Sequence, residues 1–176
     1  MRASASRRAS VADRRDYNVR MHIREAVPDD ASALSALYRA SVTTLGPRDY
    51  DARQVAAWAS LTPSADRLRG KMADGRITLV AADDDGALLA FGDLEADGHI
   101  DYLYSAPAAV GSGAAAAVYA ALEARARSRG ASLLYAEASE MARRFFLRRG
   151  FVVVARRDFE VAGTPIHNYA VEKRLA

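Results

Sequence analysis

Between Val110 and Ala115 the chain reads Val-Gly-Ser-Gly-Ala-Ala, and this stretch has the strongest chemical character in the sequence. Gly111 and Gly113 permit a tight turn and keep Cβ atoms away from anything the backbone approaches. A helix pattern follows at once, from about Ala114 to Arg129. Its first N–H groups have no intrahelical acceptor, and such an end attracts anions, phosphate above all. His99 to Ser105 precedes the loop and reads as a strand that Pro107 ends. Strand, glycine loop and helix together predict a site for a phosphate-bearing cofactor.

Two signatures fit the loop. In the dinucleotide fingerprint G-x-G-x-x-G/A, the residues would be Gly111, Gly113 and Ala116, with Glu137 as the ribose-binding acid. The acetyl-CoA loop Q/R-x-x-G-x-G/A of the GNAT N-acetyltransferases would place Val110, Gly113 and Ala115. A dinucleotide strand runs almost directly into its first glycine, whereas Ala106 to Val110 intervene here. Only 39 residues follow Glu137, too few for the second half of a doubly wound sheet. No Gly-Lys-Ser/Thr follows, so the loop is not a Walker A sequence.

The chain resembles the GNAT family beyond the loop. HIDYLYSAP is similar to the strand before the cofactor loop, ASEMARRFFLRRGF to the following helix, and NYAVEKRL to the closing strand. The resemblance spans about residues 21–176 and is nearest to small bacterial members of the YafP-like kind. It implies an α/β (α+β) fold: a mixed, mostly antiparallel sheet of about seven strands, four to five flanking helices, and a splay between the fourth and fifth strands.

The elements that must position the loop follow from periodicity. Met21–Glu25 reads as an edge strand, and Pro28-Asp29-Asp30 as a helix start suited to the positive end of the helix dipole. Leu34, Leu37, Tyr38 and Val42 recur at helical spacing. Further helices start near Asp51 and Thr62-Pro63. Ile77–Ala82 and Ala87–Glu95 flank an Asp-Asp-Asp-Gly turn and lead into the strand at His99, an antiparallel meander. Ser132–Glu137 reads as a strand, Ser139–Arg149 as a helix, and 151–161 and 166–175 as a hairpin around Gly163-Thr164-Pro165.

Composition narrows the function classes. The sequence has no cysteine, which excludes disulfides and thiolate nucleophiles, and His22, His99 and His167 lack metal-ligand spacing, so no metal is expected. The net charge of +3 resides in the N-terminal stretch: residues 1–20 carry six Arg and two Asp, leaving 19 basic and 20 acidic residues beyond them. A near-neutral body argues against nucleic-acid binding. The first 20 residues lack apolar periodicity and read as a disordered basic tail. They lack the apolar core of a secretory signal, and the body carries no run long enough to span a membrane, so a cytoplasmic protein is expected.

The resemblance implies acetyl-CoA as cosubstrate and a primary amine of a small molecule or peptide as acceptor, attacked directly; a homodimer is compatible with it. Backbone groups of Leu103, Tyr104 and Ser105 would pair with pantetheine. Val110, Gly111, Ser112, Gly113, Ala114 and Ala115 would cradle the pyrophosphate. Ser139 and Phe146 would contact the cofactor. Asp101 would take the acceptor's proton; strict alternation sets it with His99, Leu103 and Ser105 on one face and Ile100, Tyr102 and Tyr104 on the other. The sequence departs from the family at Val110, where Gln or Arg is usual, and at Phe146, where many members place a tyrosine acid. Tyr135, Tyr169 and Tyr104 are the substitutes. Tyr38, Tyr50, Trp58, His167 and Asn168 are candidates for the acceptor groove. These departures leave open a non-catalytic acyl-CoA-binding or regulatory module, and the loop alone a nicotinamide-dependent oxidoreductase.

Overall fold

The computed structural model describes residues 20–175; the basic tail, apart from Arg20, lies outside the described residues. Seven strands and five α-helices follow in the order β1 (Met21–Glu25), α1 (Ala31–Leu45), α2 (Ala52–Ser60), α3 (Ala65–Ala73), β2 (Ile77–Asp83), β3 (Leu88–Leu94), β4 (Leu103–Ser105), α4 (Ala114–Ser128), β5 (Leu133–Ala138), α5 (Glu140–Leu147), β6 (Val152–Val161) and β7 (Thr164–Arg174). The expected mixed fold is present, and the local signals account for most boundaries. Asp51 caps α2 in a reciprocal box with Gln54, and Ser64 and Ser139 cap α3 and α5.

The strands form two antiparallel sheets, β1-β2-β3-β4 and β5-β7-β6. One parallel bridge, His99 with Tyr135, joins them. The Ile100 amide donates to the Tyr135 carbonyl at 2.9 Å and the Tyr135 amide to the Gly98 carbonyl at 3.1 Å. Beyond Ile100 the two edges part, which is the expected splay. Two antiparallel sheets joined by one parallel bridge cannot be a doubly wound dinucleotide sheet.

The strand expected over 99–105 is shorter than its sequence suggests, for a specific reason. The Asp93 carboxylate accepts the amides of both Asp101 (3.1 Å) and Tyr102 (2.7 Å), where a ladder would use backbone carbonyls. The side-chain phase slips at this point. Ile100 and Leu103 both pack with the cluster under α4, whereas Tyr102 packs with Phe91 and Tyr38 under α1. Strict alternation would have separated Ile100 from Leu103.

Two apolar clusters lie on opposite faces of the first sheet. Val118, Leu122 and Ala126 of α4 meet Leu79, Ala81, Ala90 and Leu94 on one side; Leu34 and Tyr38 of α1 meet Val80 and Phe91 on the other. At the last hairpin the turn is Ala162-Gly163, one residue earlier than expected, and both residues have positive φ (49° and 73°). Two positive φ values suit a tight hairpin, so Thr164 and Pro165 already belong to β7.

Candidate active site

The loop after β4 presents backbone amides at the start of α4. Gly111 and Gly113 sit at φ of 86° and 89°, a region that L side chains rarely adopt, and a Cβ at either would meet open space. The room beside the loop is therefore available to a ligand. The Ser112 hydroxyl donates to the Ala109 carbonyl and accepts the Ala114 amide. Ala117 is the first helical residue whose amide reaches back to a carbonyl, that of Gly113. The amides of Ala115 and Ala116 precede it and are open.

The splay supplies two facing backbone edges. The register pairs Phe91 with Tyr104, and the Asp93 amide donates to the Tyr102 carbonyl. In an antiparallel ladder this pattern turns the N–H and C=O groups of Leu103 and Ser105 away from β3, into the gap. The backbone of Tyr104 is instead used by β3, so only two of the three expected residues offer free groups. Across the gap, the same alternation along β5 and β7 turns the backbone of Glu137 toward β4.

A cavity of about 220 Å³ lies along this gap. Leu103, Tyr104, Ser105, Val110, Gly111 and Ala115 form one end, and Ser139 and Phe146 border it. Phe146 is 2% exposed and packs on Phe151 at 4.7 Å between ring centroids. The other end is made by Leu45, Tyr50, Val55 and Trp58 from α1, α2 and the segment between them. Tyr50 and Trp58, both candidates for the acceptor groove, thus line the cavity. Tyr38 does not line the cavity; it is buried against Tyr104 at 4.4 Å. His167 lies beyond it on Glu140, and Asn168 is buried in β7.

Asp101 lines the cavity, but it is not alone. Lys71 donates to its Oδ2 at 2.5 Å, and Arg76 lies 3.5 Å from the same oxygen. Arg76 also holds Asp93 at 2.8 Å, Asp74 at 2.8 Å and Glu95 at 3.0 Å. Burial works against the Arg76 charge, but Asp74 and Asp93 outweigh it and hold its pKa above the ordinary arginine value. Across the gap, Glu137 accepts from His99 at 2.7 Å and pairs with Arg157 at 3.2 Å. Burial lowers the His99 pKa, yet Glu137, Asp101 and Glu95 together outweigh it and hold the imidazole above its ordinary value.

Of the three tyrosines expected as proton donors, Tyr135 and Tyr169 sit outside the cavity lining, whereas Tyr104 lines it with burial pushing its pKa well above the ordinary value. The Tyr135 hydroxyl donates to Asp97, and that bond pushes its pKa up to about 12. The Tyr169 hydroxyl donates to Glu140 at 2.6 Å, which likewise raises it. Arg143 and Arg144 do not reach the loop: they bind Glu140 and Asp49. Sequence reasoning missed Asp93, Lys71 and Arg76. A lone aspartate near the end of the apolar strand LLAFGDL was the one available signal for Asp93. Among the described residues no cluster of His, Cys, Asp and Glu has metal-binding geometry, and no helix is long and apolar enough to cross a membrane.

A glycine loop at a helix N-terminus opens here onto a splayed sheet, an arrangement suited to an extended, phosphate-bearing ligand. Residues 47–173 match the acetyltransferase (GNAT) domain. The GCN5-related N-acetyltransferase (aminotransferase, class-II) from Rhodopseudomonas palustris is 33% identical, with a TM-score of 0.80, over 88% of this chain and 95% of that one. The PaiA N-acetyltransferase from Thermoplasma acidophilum, in complex with coenzyme A, is 17% identical (TM-score 0.71; 89% and 99% covered). The phosphinothricin acetyltransferase from Sinorhizobium meliloti, in complex with acetyl-CoA, is 20% identical (TM-score 0.69; 88% and 88% covered). No curated protein matches the chain. The chain belongs to the GNAT acetyltransferase family. It is accordingly an acyltransferase with acetyl-CoA as cosubstrate.

Proposed function

We propose that the protein transfers the acetyl group of acetyl-CoA to a primary amine by direct attack. The observation that carries this reading is the pair of unpaired edges, Leu103 and Ser105 facing Glu137, with the open glycine loop at one end and the cavity at the other. An extended pantetheine arm fits such a gap as an added strand, through main-chain hydrogen bonds. The amides of Gly111, Gly113, Ala115 and Ala116 then meet the pyrophosphate. Leu103, one of the edge residues, is closest in sequence to Asp101, so the thioester comes to rest near that carboxylate.

The amine nitrogen attacks the thioester carbonyl, a C–N bond forms, the C–S bond breaks, and coenzyme A leaves as thiolate. Asp101 takes the amine's proton. Lys71 and Arg76 occupy its Oδ2 and fix its orientation, leaving Oδ1 for the proton. A positioned general base contributes roughly 10²–10⁴-fold. No acid is assigned to the leaving group: Phe146 cannot donate, Tyr135 and Tyr169 are tied to carboxylates, and Tyr104 is packed against Tyr38 and Phe91. A thiol of pKa about 8.5 leaves tolerably without one.

The test is thiol release from acetyl-CoA by the full chain with a panel of amines, beside a thermal-shift series with acetyl-CoA, CoA and NAD. Stabilisation by acetyl-CoA with amine-dependent release supports the reading. Stabilisation without release on any amine would favour a binding module, and stabilisation by NAD alone an oxidoreductase.

A further inference from the structure

The charged side chains that line the acceptor end and middle of the cavity share one sign. They are Asp49, Asp101 and Glu137; among the described residues no lysine, arginine or histidine lines it. Each carboxylate has its cation outside the lining: Arg144 forks onto Asp49 at 2.9 and 2.6 Å, Lys71 and Arg76 hold Asp101, and His99 and Arg157 hold Glu137. The lining therefore carries acid, and its counter-charges come from side chains outside the lining. The remaining wall at this end is apolar and aromatic apart from Ser41 and the Tyr50 hydroxyl, which accepts the Glu140 amide. Trp58 meets Phe159 edge-on at 6.0 Å and Tyr50 at 6.2 Å, with Leu45 and Val55 beside them. The Trp58 indole Nε1 is buried without a hydrogen-bond partner, so the ring offers at most one neutral donor.

We infer that the acceptor is an apolar, preferably aromatic, primary amine that carries no anionic group. This inference rests on the acetyl-CoA reading above and narrows its substrate class. The ammonium head is drawn to the carboxylates, where its proton must also go. The hydrocarbon body buries against Trp58 and Val55, as apolar surface does when it leaves water. An α-carboxylate or phosphinate on the same molecule would enter a wall of like charge with no cation to meet it, and a buried unpaired charge is strongly disfavoured. Specificity thus arises from repulsion of the wrong acceptor as much as from attraction of the right one. The phosphinothricin acetyltransferase neighbour shares this fold, yet the wall described here disfavours an amino acid with a second anionic group.

The experiment compares kcat/KM at saturating acetyl-CoA for 2-phenylethylamine, phenylalaninamide, phenylalanine and phosphinothricin, using the full chain. The first two should exceed the last two by at least about tenfold, the usual scale of discrimination by pocket contacts. Asp49→Asn releases Arg144 beside the wall and should narrow the gap between phenylalaninamide and phenylalanine. Equal or better turnover of phenylalanine or phosphinothricin overturns the inference. So does failure to turn over either apolar amine while acetyl-CoA still binds. Failure of acetyl-CoA to bind at all would instead sink the function on which it rests.

Discussion

Asp93→Asn isolates the side chain that ends the β4 ladder and so shapes the splay. Asp93 is 1% exposed; one oxygen accepts the Asp101 and Tyr102 amides, and the other holds Arg76 at 2.8 Å. Asparagine keeps one acceptor for the two amides but turns an NH₂ group toward the guanidinium. Removing one partner of a buried ion pair typically costs about 3–5 kcal/mol. Arg76 keeps Asp74 and Glu95, both partly exposed, so its charge is not orphaned and the cost falls to the bottom of that range or just below it. We expect a loss of roughly 2–3 kcal/mol, which for a domain of this size lowers Tm by about 4–12 °C. Asp93→Leu also strands both amides and should cost more, since each buried unsatisfied donor adds about 1–3 kcal/mol. Thermal unfolding by circular dichroism, with urea denaturation as a check on the slope, reads both variants. A Tm within 2 °C of wild type for Asp93→Asn, on the scale above, would refute the reasoning and make Arg76 indifferent to its buried partner.

Other outcomes follow from the same geometry. Asp101→Asn should lower kcat/KM by at least roughly tenfold with acetyl-CoA affinity little changed, and the defect should shrink as pH rises because more free amine is present; full activity in a stable variant would move the base to Glu137. Glu137→Gln removes the partner that raises the His99 pKa, so an NMR titration should show His99 titrating lower, and an unchanged midpoint would mean that Glu137 is not the cause. Burial opposes the Glu140 charge, but bonds from Tyr169, His167 and Arg143 bring its pKa down to about 2. A carboxylate with a depressed folded pKa stabilises above its unfolded value and loses that contribution as pH falls toward 2, so Glu140→Gln should flatten the acid limb of the stability curve. Ala162 holds φ of 49° in the last hairpin, and Ala162→Asn should raise stability by up to about 1 kcal/mol.

Much of this was legible in the sequence because the signals are local. The capping boxes, the Asp83–Gly86 turn and the apolar periodicity of α1 and α4 each depend on a few neighbouring residues. The glycines of the loop announced their backbone conformation directly. The site's electrostatics were not legible, because each depends on a distant partner. Lys71 reaches Asp101 across thirty positions, and Arg144 reaches Asp49 across ninety-five. The interruption of the strand at Asp101 arises from a side chain eight residues upstream, and alternation, which assumes an unbroken ladder, could not foresee it. Tyr135 looked available as an acid because nothing in its surroundings in sequence marks Asp97 as its partner.

Amide hydrogen exchange by NMR, with and without acetyl-CoA, tests the central claim most directly. If the arm of acetyl-CoA adds itself between β4 and β5, exchange at Leu103, Ser105 and Glu137 should slow by at least about tenfold, because those amides gain hydrogen bonds and lose water. Gly113 and Ala115 should respond with them, while Tyr104, already paired to Phe91, should change little. Saturating acetyl-CoA that leaves Leu103, Ser105 and Glu137 unchanged would contradict the account.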